Sequence, residues 1–159
     1  MTHPLDKASV IRTFAALVGD RLAAIEAGSD AAQAGARVDG THRPASRGER
    51  GAVSEQAALA HGLRVRAAAL RTTLLQLADV PRTKRERAGP GALVLLEDED
   101  GGSHWWAILP GGQGDAAGGA TVVSPSSPIA QALADAEPGD AVSLRRDGRL
   151  KQHEVIDVR

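Results

Sequence analysis

The sequence predicts an α+β chain: an N-terminal antiparallel coiled-coil hairpin over residues 1–80, a linker over 81–89, and a small antiparallel sheet with one short helix over 90–159. Three observations predict it. Apolar residues recur seven apart at Ile11, Val18 and Ile25, and again at Leu63, Leu70 and Leu77. The junction Gly89-Pro90-Gly91 then separates this periodic part from one of different pattern. Beyond it, the short runs ALVLL, TVVS, AVSL and HEVIDV alternate with turn residues, which is the signature of strands.

The first helix carries Ala15 and Leu22 between its heptad positions, and the second carries Ala60, Ala67 and Leu74. Two seams of equal length bury each other in an antiparallel hairpin. At about 1.5 Å per residue, each helix would run roughly 40 to 50 Å. Gly28 and Gly35 weaken the far end of the first helix, so the arm is expected to fray toward its tip. The tip falls within residues 37–55. There Ser46 and Glu49 have the spacing of a capping box, with Ser54 as a rival N-cap. Residues 81–87, PRTKRER, read as an interdomain linker first and a nucleic-acid patch second.

In the second domain, ALVLLEDEDGGSHWWAILP reads as a β-hairpin turning at Asp98 to Gly102. Trp105 and Trp106 are adjacent in a strand, so one belongs in the core and the other is partly exposed. The stretch Gly111 to Gly119 lacks the GKS/T ending of a phosphate cradle and reads as a flexible loop. From Ser124 to Asp140 a turn, a short helix and a second turn follow in order. Pro125 and Pro128 hold the chain extended, Ser126 or Ser127 caps the helix, and Ile129, Ala132 and Leu133 form its apolar stripe. Pro138, Gly139 and Asp140 stop it. Arg146 to Arg149 make a tight connection between the last two strands.

Composition narrows the function classes. Only Phe14, Trp105 and Trp106 are aromatic, so Ala, Leu, Val and Ile must build the core. Without cysteine there is neither a disulfide framework nor a thiolate metal site. The N-terminal THPLDKASVIRTF has charges where a signal peptide needs an apolar run, and no stretch approaches a membrane span, so a cytoplasmic location is expected. Residues 1–89 hold 14 Lys and Arg against 9 Asp and Glu, whereas residues 90–159 hold 5 against 11. This split fits an N-terminal part facing something anionic and a C-terminal part facing something basic, although two ordinary solvated surfaces fit it equally. The five histidines have no metal-ligand spacing and no Ser-His-Asp arrangement stands out.

Ser127-Pro128-Ile129, Ala132-Leu133 and Gly139-Asp140 resemble the SPIGxALxGxxxGD signature in the C-terminal domain of the Gre family of bacterial transcription elongation factors. A long helical hairpin ahead of such a domain is also the Gre architecture. The resemblance implies an FKBP-like fold for the second domain. It implies docking on the β′ rim helices of RNA polymerase, carried over to Ser126, Ser127, Pro128 and Ile129, and insertion of the hairpin into the secondary channel. Where the family often has Gly-Lys after the short helix, this chain has Asp135, Ala136 and Glu137.

At the tip, the family segment GDLSENAEY aligns with residues 51–59. Its metal-directed Asp has become Ala52, and Glu55 alone remains of the acidic pair. A carboxylate pair suits Mg²⁺ because a hard cation takes oxygen ligands. Asp39 and Glu49 are substitutes, but Arg37, Arg43, Arg47 and Arg50 surround them and raise the cost of a cation site. Glu55 reads equally well as a solvated first-turn residue favoured by the helix dipole. Off the leucine seam, Arg64, Arg66 and Arg71 either attract nascent RNA or are helix formers on a solvated face.

The expectation is a Gre-like regulator that is not itself an enzyme, has no cofactor of its own beyond the polymerase-bound Mg²⁺, and stimulates RNA cleavage weakly or not at all. The alternatives are a working cleavage factor using Glu55 with Asp39 or Glu49, an FKBP-like isomerase or chaperone module, and a coiled-coil adaptor. The shortage of aromatics argues against the isomerase.

Overall fold

The computed structural model of the protein describes residues 5–36, 46–146 and 148–159. Two long helices come first, α1 (Lys7–Ala36) and α2 (Arg47–Asp79). At the start of α1 the Asp6 carboxylate accepts from the Ala8 N–H at 3.2 Å and the Ser9 N–H at 3.0 Å, satisfying two donors that have no intrahelical partner. α2 opens on the capping box: the Glu49 N–H donates to Ser46 Oγ at 3.1 Å and the Ser46 N–H to Glu49 Oε2 at 3.3 Å. Ser54, the rival cap, lies inside the helix.

The chain divides into two compact units, Leu17–Leu74 and the remainder. In Leu17–Leu74 the helices run antiparallel. Ser29 Oγ donates to the Ala60 carbonyl at 3.5 Å, and a Cβ on Gly28 would lie 3.7 Å from Leu63 Cδ1. Val18, Ser29, Ala32, Ala60 and Ala67 are buried, whereas Leu22, Ile25, Leu63, Leu70 and Leu74 are half-buried, because two helices share one seam and leave its flanks to solvent. Sequence spacing placed Ala15 on the seam, but Phe14 is the residue fully enclosed.

The other unit holds the chain up to Ala16 with Leu75–Arg159. Its strands are β1 (Leu93–Asp98), β2 (Ser103–Ile108), β3 (Gln113–Ala117) and β4 (Ala120–Val123), then helix α3 (Pro128–Ala132), then β5 (Ala141–Arg146) and β6 (Arg149–Val158). They form one sheet in the order β3-β4-β2-β1-β6-β5. Two sequence expectations are corrected here. The sheet is mixed, since β2 and β4 pair in parallel from Trp105↔Ala120 to Ile108↔Val123 while every other pair is antiparallel. The expected flexible loop at 111–119 instead contains β3, an edge strand that skips one position so that β4 returns between it and β2.

The glycines of that stretch serve the strand. Gly118 and Gly119, at φ 56° and 89°, make the two-residue turn between β3 and β4, for which positive φ at both positions is required. At Gly112 a Cβ would sit 2.7 Å from the backbone of Val123, so only glycine fits.

Both faces of the sheet are buried near its centre. On one, Val94, Leu96, Ile108, Val123, Val142, Leu144, Val155 and Val158 surround Ala130 and Leu133 at α3. On the other lie Leu93, Leu95, Trp105, Ala107 and Val122, in register across β1, β2 and β4. The chain leading into α1 reaches this second face. Arg159 Nη1 donates to the Leu5 carbonyl at 3.2 Å, and its guanidinium lies 5.4 Å from the centre of the Trp105 ring. Trp105 is buried and Trp106 half-buried.

Lys7 is buried among these elements, its Nζ donating to the Thr83 carbonyl at 3.0 Å. Burial and then the nearby Arg85 charge lower its pKa to about 8, from 10.5 for an exposed lysine. Between those two values the unfolded chain binds the extra proton, so stability rises with pH through the window. The chain has no Cys or Tyr to titrate there. Denaturation of the protein and of Lys7→Met between pH 7 and 10.5 should show the parent gaining on the order of 2 kcal/mol relative to the variant. A pH-independent difference would refute it.

Gly112→Ala should lose about 3 kcal/mol or more, because the methyl must displace backbone. Gly62→Ala, with open space around its Cβ on α2, should gain up to about 1 kcal/mol, and thermal melts of the two variants check the contrast.

Candidate functional site

The residues Ser126 to Ile129 form one rigid presentation. The Ser127 N–H donates to the Ser124 carbonyl at 3.0 Å, closing the turn, and Ser127 Oγ accepts from the Ala130 N–H at 3.1 Å. Ser127 is therefore the N-cap of α3, with Pro128 at the first helical position, where its missing N–H costs nothing. Ser124 and Ser126 bond through their hydroxyls at 3.1 Å, and Gln131 Nε2 donates to the Ser126 carbonyl at 3.2 Å. Pro125, Ser126 and Pro128 are exposed, while Ser127 and Ile129 are half-buried. Leu133, the other stripe residue, is fully buried.

Ile129 and Trp106 are both partly buried against this core. The Trp106 ring stands edge-on to His104 at 5.1 Å, and His104 Nε2 is 2.7 Å from Thr121 Oγ1. The paired tryptophans signalled one partly exposed ring, and it is Trp106.

On the arm, helical periodicity divides the three candidate arginines. Arg64 and Arg71, seven apart, line a groove of about 290 Å³ with Glu26, Asp30 and Gln33, whereas Arg66 lies on another face of α2. Arg71 forms an ion pair with Glu26, so its charge is partly compensated.

Of the tip residues, Asp39 lies outside the described residues, as do Arg37 and Arg43. Arg47, Glu49, Arg50, Ala52 and Glu55 are exposed on the first turns of α2. Glu49 is engaged in the capping box. Positions 52 and 55 are neighbours on one helix face, and only Glu55 carries a carboxylate there. Among the described residues no group of three or more His, Asp or Glu side chains is arranged to hold a metal ion. The described tip residues do not fit a divalent cation site by themselves.

The negative charge of the second domain is gathered locally. Glu97, Asp98, Glu99, His153 and Glu154 line a cleft of about 340 Å³ beside β1 and β6. Asp98 is committed to its own turn, accepting from the Gly102 N–H at 2.7 Å and the Asp100 N–H at 3.1 Å.

Residues 83–159 match the family described as the C-terminal domain of the transcription elongation factors GreA and GreB. The transcription elongation factor GreA of Alkalilimnicola ehrlichii is 39% identical over 70 residues, 43% of each protein, so the matched region spans less than half of that relative. Among solved structures, GreA factor homolog 1 of Thermus thermophilus aligns at 17% identity over 91% of this chain and 94% of that one, with a TM-score of 0.41. A GreA/GreB factor of Nitrosomonas europaea aligns at 16% identity over 56% and 78%, with a TM-score of 0.37. The similarity to the Gre factors is thus carried by residues 83–159, which resemble the GreA/GreB C-terminal domain.

Proposed function

We propose that the protein is a regulator of bacterial RNA polymerase. It docks by its C-terminal domain and inserts its helical hairpin into the secondary channel, with weak or no stimulation of RNA cleavage. The observation that carries this reading is the match of residues 83–159 to the GreA/GreB C-terminal domain. The docking residues are Ser126, Ser127, Pro128 and Ile129, held by the α3 cap on a surface whose exposed members cost little to cover. The polymerase supplies the bond-breaking chemistry and its own Mg²⁺, so the chain is a factor and not an enzyme. Its location is the cytoplasm with its partner, and no helix among the described residues is long and apolar enough to cross a membrane.

Two observations support weak cleavage stimulation. Ala52 stands where a second carboxylate would share the face of Glu55, and Glu49 is occupied in starting α2. Of the three candidate arginines, Arg64 and Arg66 have more charge to offer nascent RNA than Arg71, which is paired with Glu26.

The test uses the full chain and core RNA polymerase. Binding should be present in the parent and at least roughly tenfold weaker in Ser126→Glu combined with Pro128→Ala, with circular dichroism unchanged because both residues are exposed and neither supplies the cap. In stalled elongation complexes at matched occupancy, cleavage of labelled RNA should stay near the factor-free rate and rise with Ala52→Asp. Absence of binding by the parent would defeat the proposal. Strong cleavage by the parent, abolished by Glu55→Ala, would replace it with the cleavage-factor reading.

A further inference from the structure

The hairpin unit is packed unevenly along its length. In residues 17–27 and 63–74 the seam holds Val18, Leu22, Ile25, Leu63, Leu70 and Leu74. In residues 28–36 and 46–62 the buried side chains are Ser29, Ala32 and Ala60, and the larger apolar residues are a half-buried Val53 and an exposed Leu59. Each of these buried groups removes little apolar surface from water, so the tip-proximal half gains little from the packing that ordinarily holds a helix together. The same half contains Gly28, Gly35, Gly48, Gly51 and Gly62, every one within a helix and every one raising the entropy of its open form. The hydrogen bond between the two helices from Ser29 to Ala60 is long, at 3.5 Å.

These observations point to a boundary and not to a gradient. Leu63 is the last partly buried leucine of α2 toward the tip, and it packs over Gly28, where the small residues begin. We infer that residues 28–36 and 46–62 form a subglobal unit that opens and closes as one, on both helices together, while residues 17–27 and 63–74 remain paired. Because neither helix has an apolar face that would hold it alone, loss of either side removes what the other packs on. The arm thus carries a built-in conformational device: a tip half whose helical state is only marginally favoured and is set by the small-residue seam.

Native-state hydrogen exchange of the full chain, read by mass spectrometry across a denaturant series, tests this. Amides of 28–36 and 51–62 should exchange roughly a hundredfold faster than those of 63–74 and share one denaturant dependence. Gly28→Ala combined with Gly35→Ala places methyl groups at 3.7 Å from Leu63 and Gln56, ordinary contact that requires no rearrangement. That double variant should slow exchange roughly tenfold in 28–36 and equally in the unsubstituted 51–62. Uniform protection along α2, a residue-by-residue gradient of simple fraying, or slowing confined to 28–36 would each overturn the inference.

Discussion

Everything in the larger unit depends on one constraint, the burial of β1 on both faces. Leu93 to Leu96 are four consecutive apolar residues of a strand flanked by β2 and β6, and all four are buried. A strand directs alternate side chains to opposite faces, so a cover is required on each side. α3 and the residues around it supply one. The other side carries Leu93, Leu95 and Trp105, and the chain that begins α1 joins it through the Leu5 carbonyl and Arg159. This explains why the first turns of the long helix group with the sheet and not with the rest of the hairpin. The helix start also bears a cost, since enclosing it takes the Lys7 ammonium out of water with a carbonyl as its recorded partner.

How much of this was legible follows from the range of the interactions. The seams, the two serine caps and the strand runs are local patterns: spacing narrowed the caps to Ser46 or Ser54 and to Ser126 or Ser127, and the structure selects Ser46 with Glu49 and Ser127 before Pro128. The turn into α3 was legible for the same reason, since Ser126 to Ile129 are contiguous; their candidacy for docking came from the resemblance to the Gre family. What was not legible depends on partners distant in sequence. β3 is composed of Gln113, Gly114, Asp115 and two alanines, and it is a strand because Val123 and Val122 lie beside it. The parallel pairing of β2 with β4 leaves no mark in either segment. Arg64, Arg66 and Arg71 looked alike until helix periodicity and Glu26 distinguished them. Lys7 gave no sign at all, because burial of a lysine is decided by what folds over it.

Charge is distributed to match the two units. The arm mixes signs, and the groove holding Arg64 and Arg71 also holds Glu26 and Asp30, so its field is short-ranged and screened within about a Debye length. The sheet domain instead concentrates carboxylates beside β1 and β6, where same-sign charges reinforce one another outward. Approach to a basic surface is favoured at that cleft, while the turn at Asp98 shows that part of the acidity is structural.

The neighbouring tryptophans give the protein an optical consequence. With no tyrosine in the chain, near-ultraviolet absorption and emission come almost entirely from two indoles that occupy opposite faces of one strand. Trp105 is buried with the Arg159 guanidinium over its ring, and Trp106 is half-buried with His104 edge-on to it. Their emission is therefore separable by wavelength and by quencher access: the blue component reports the enclosure of Trp105, and the red component reports whatever covers Trp106 on β2.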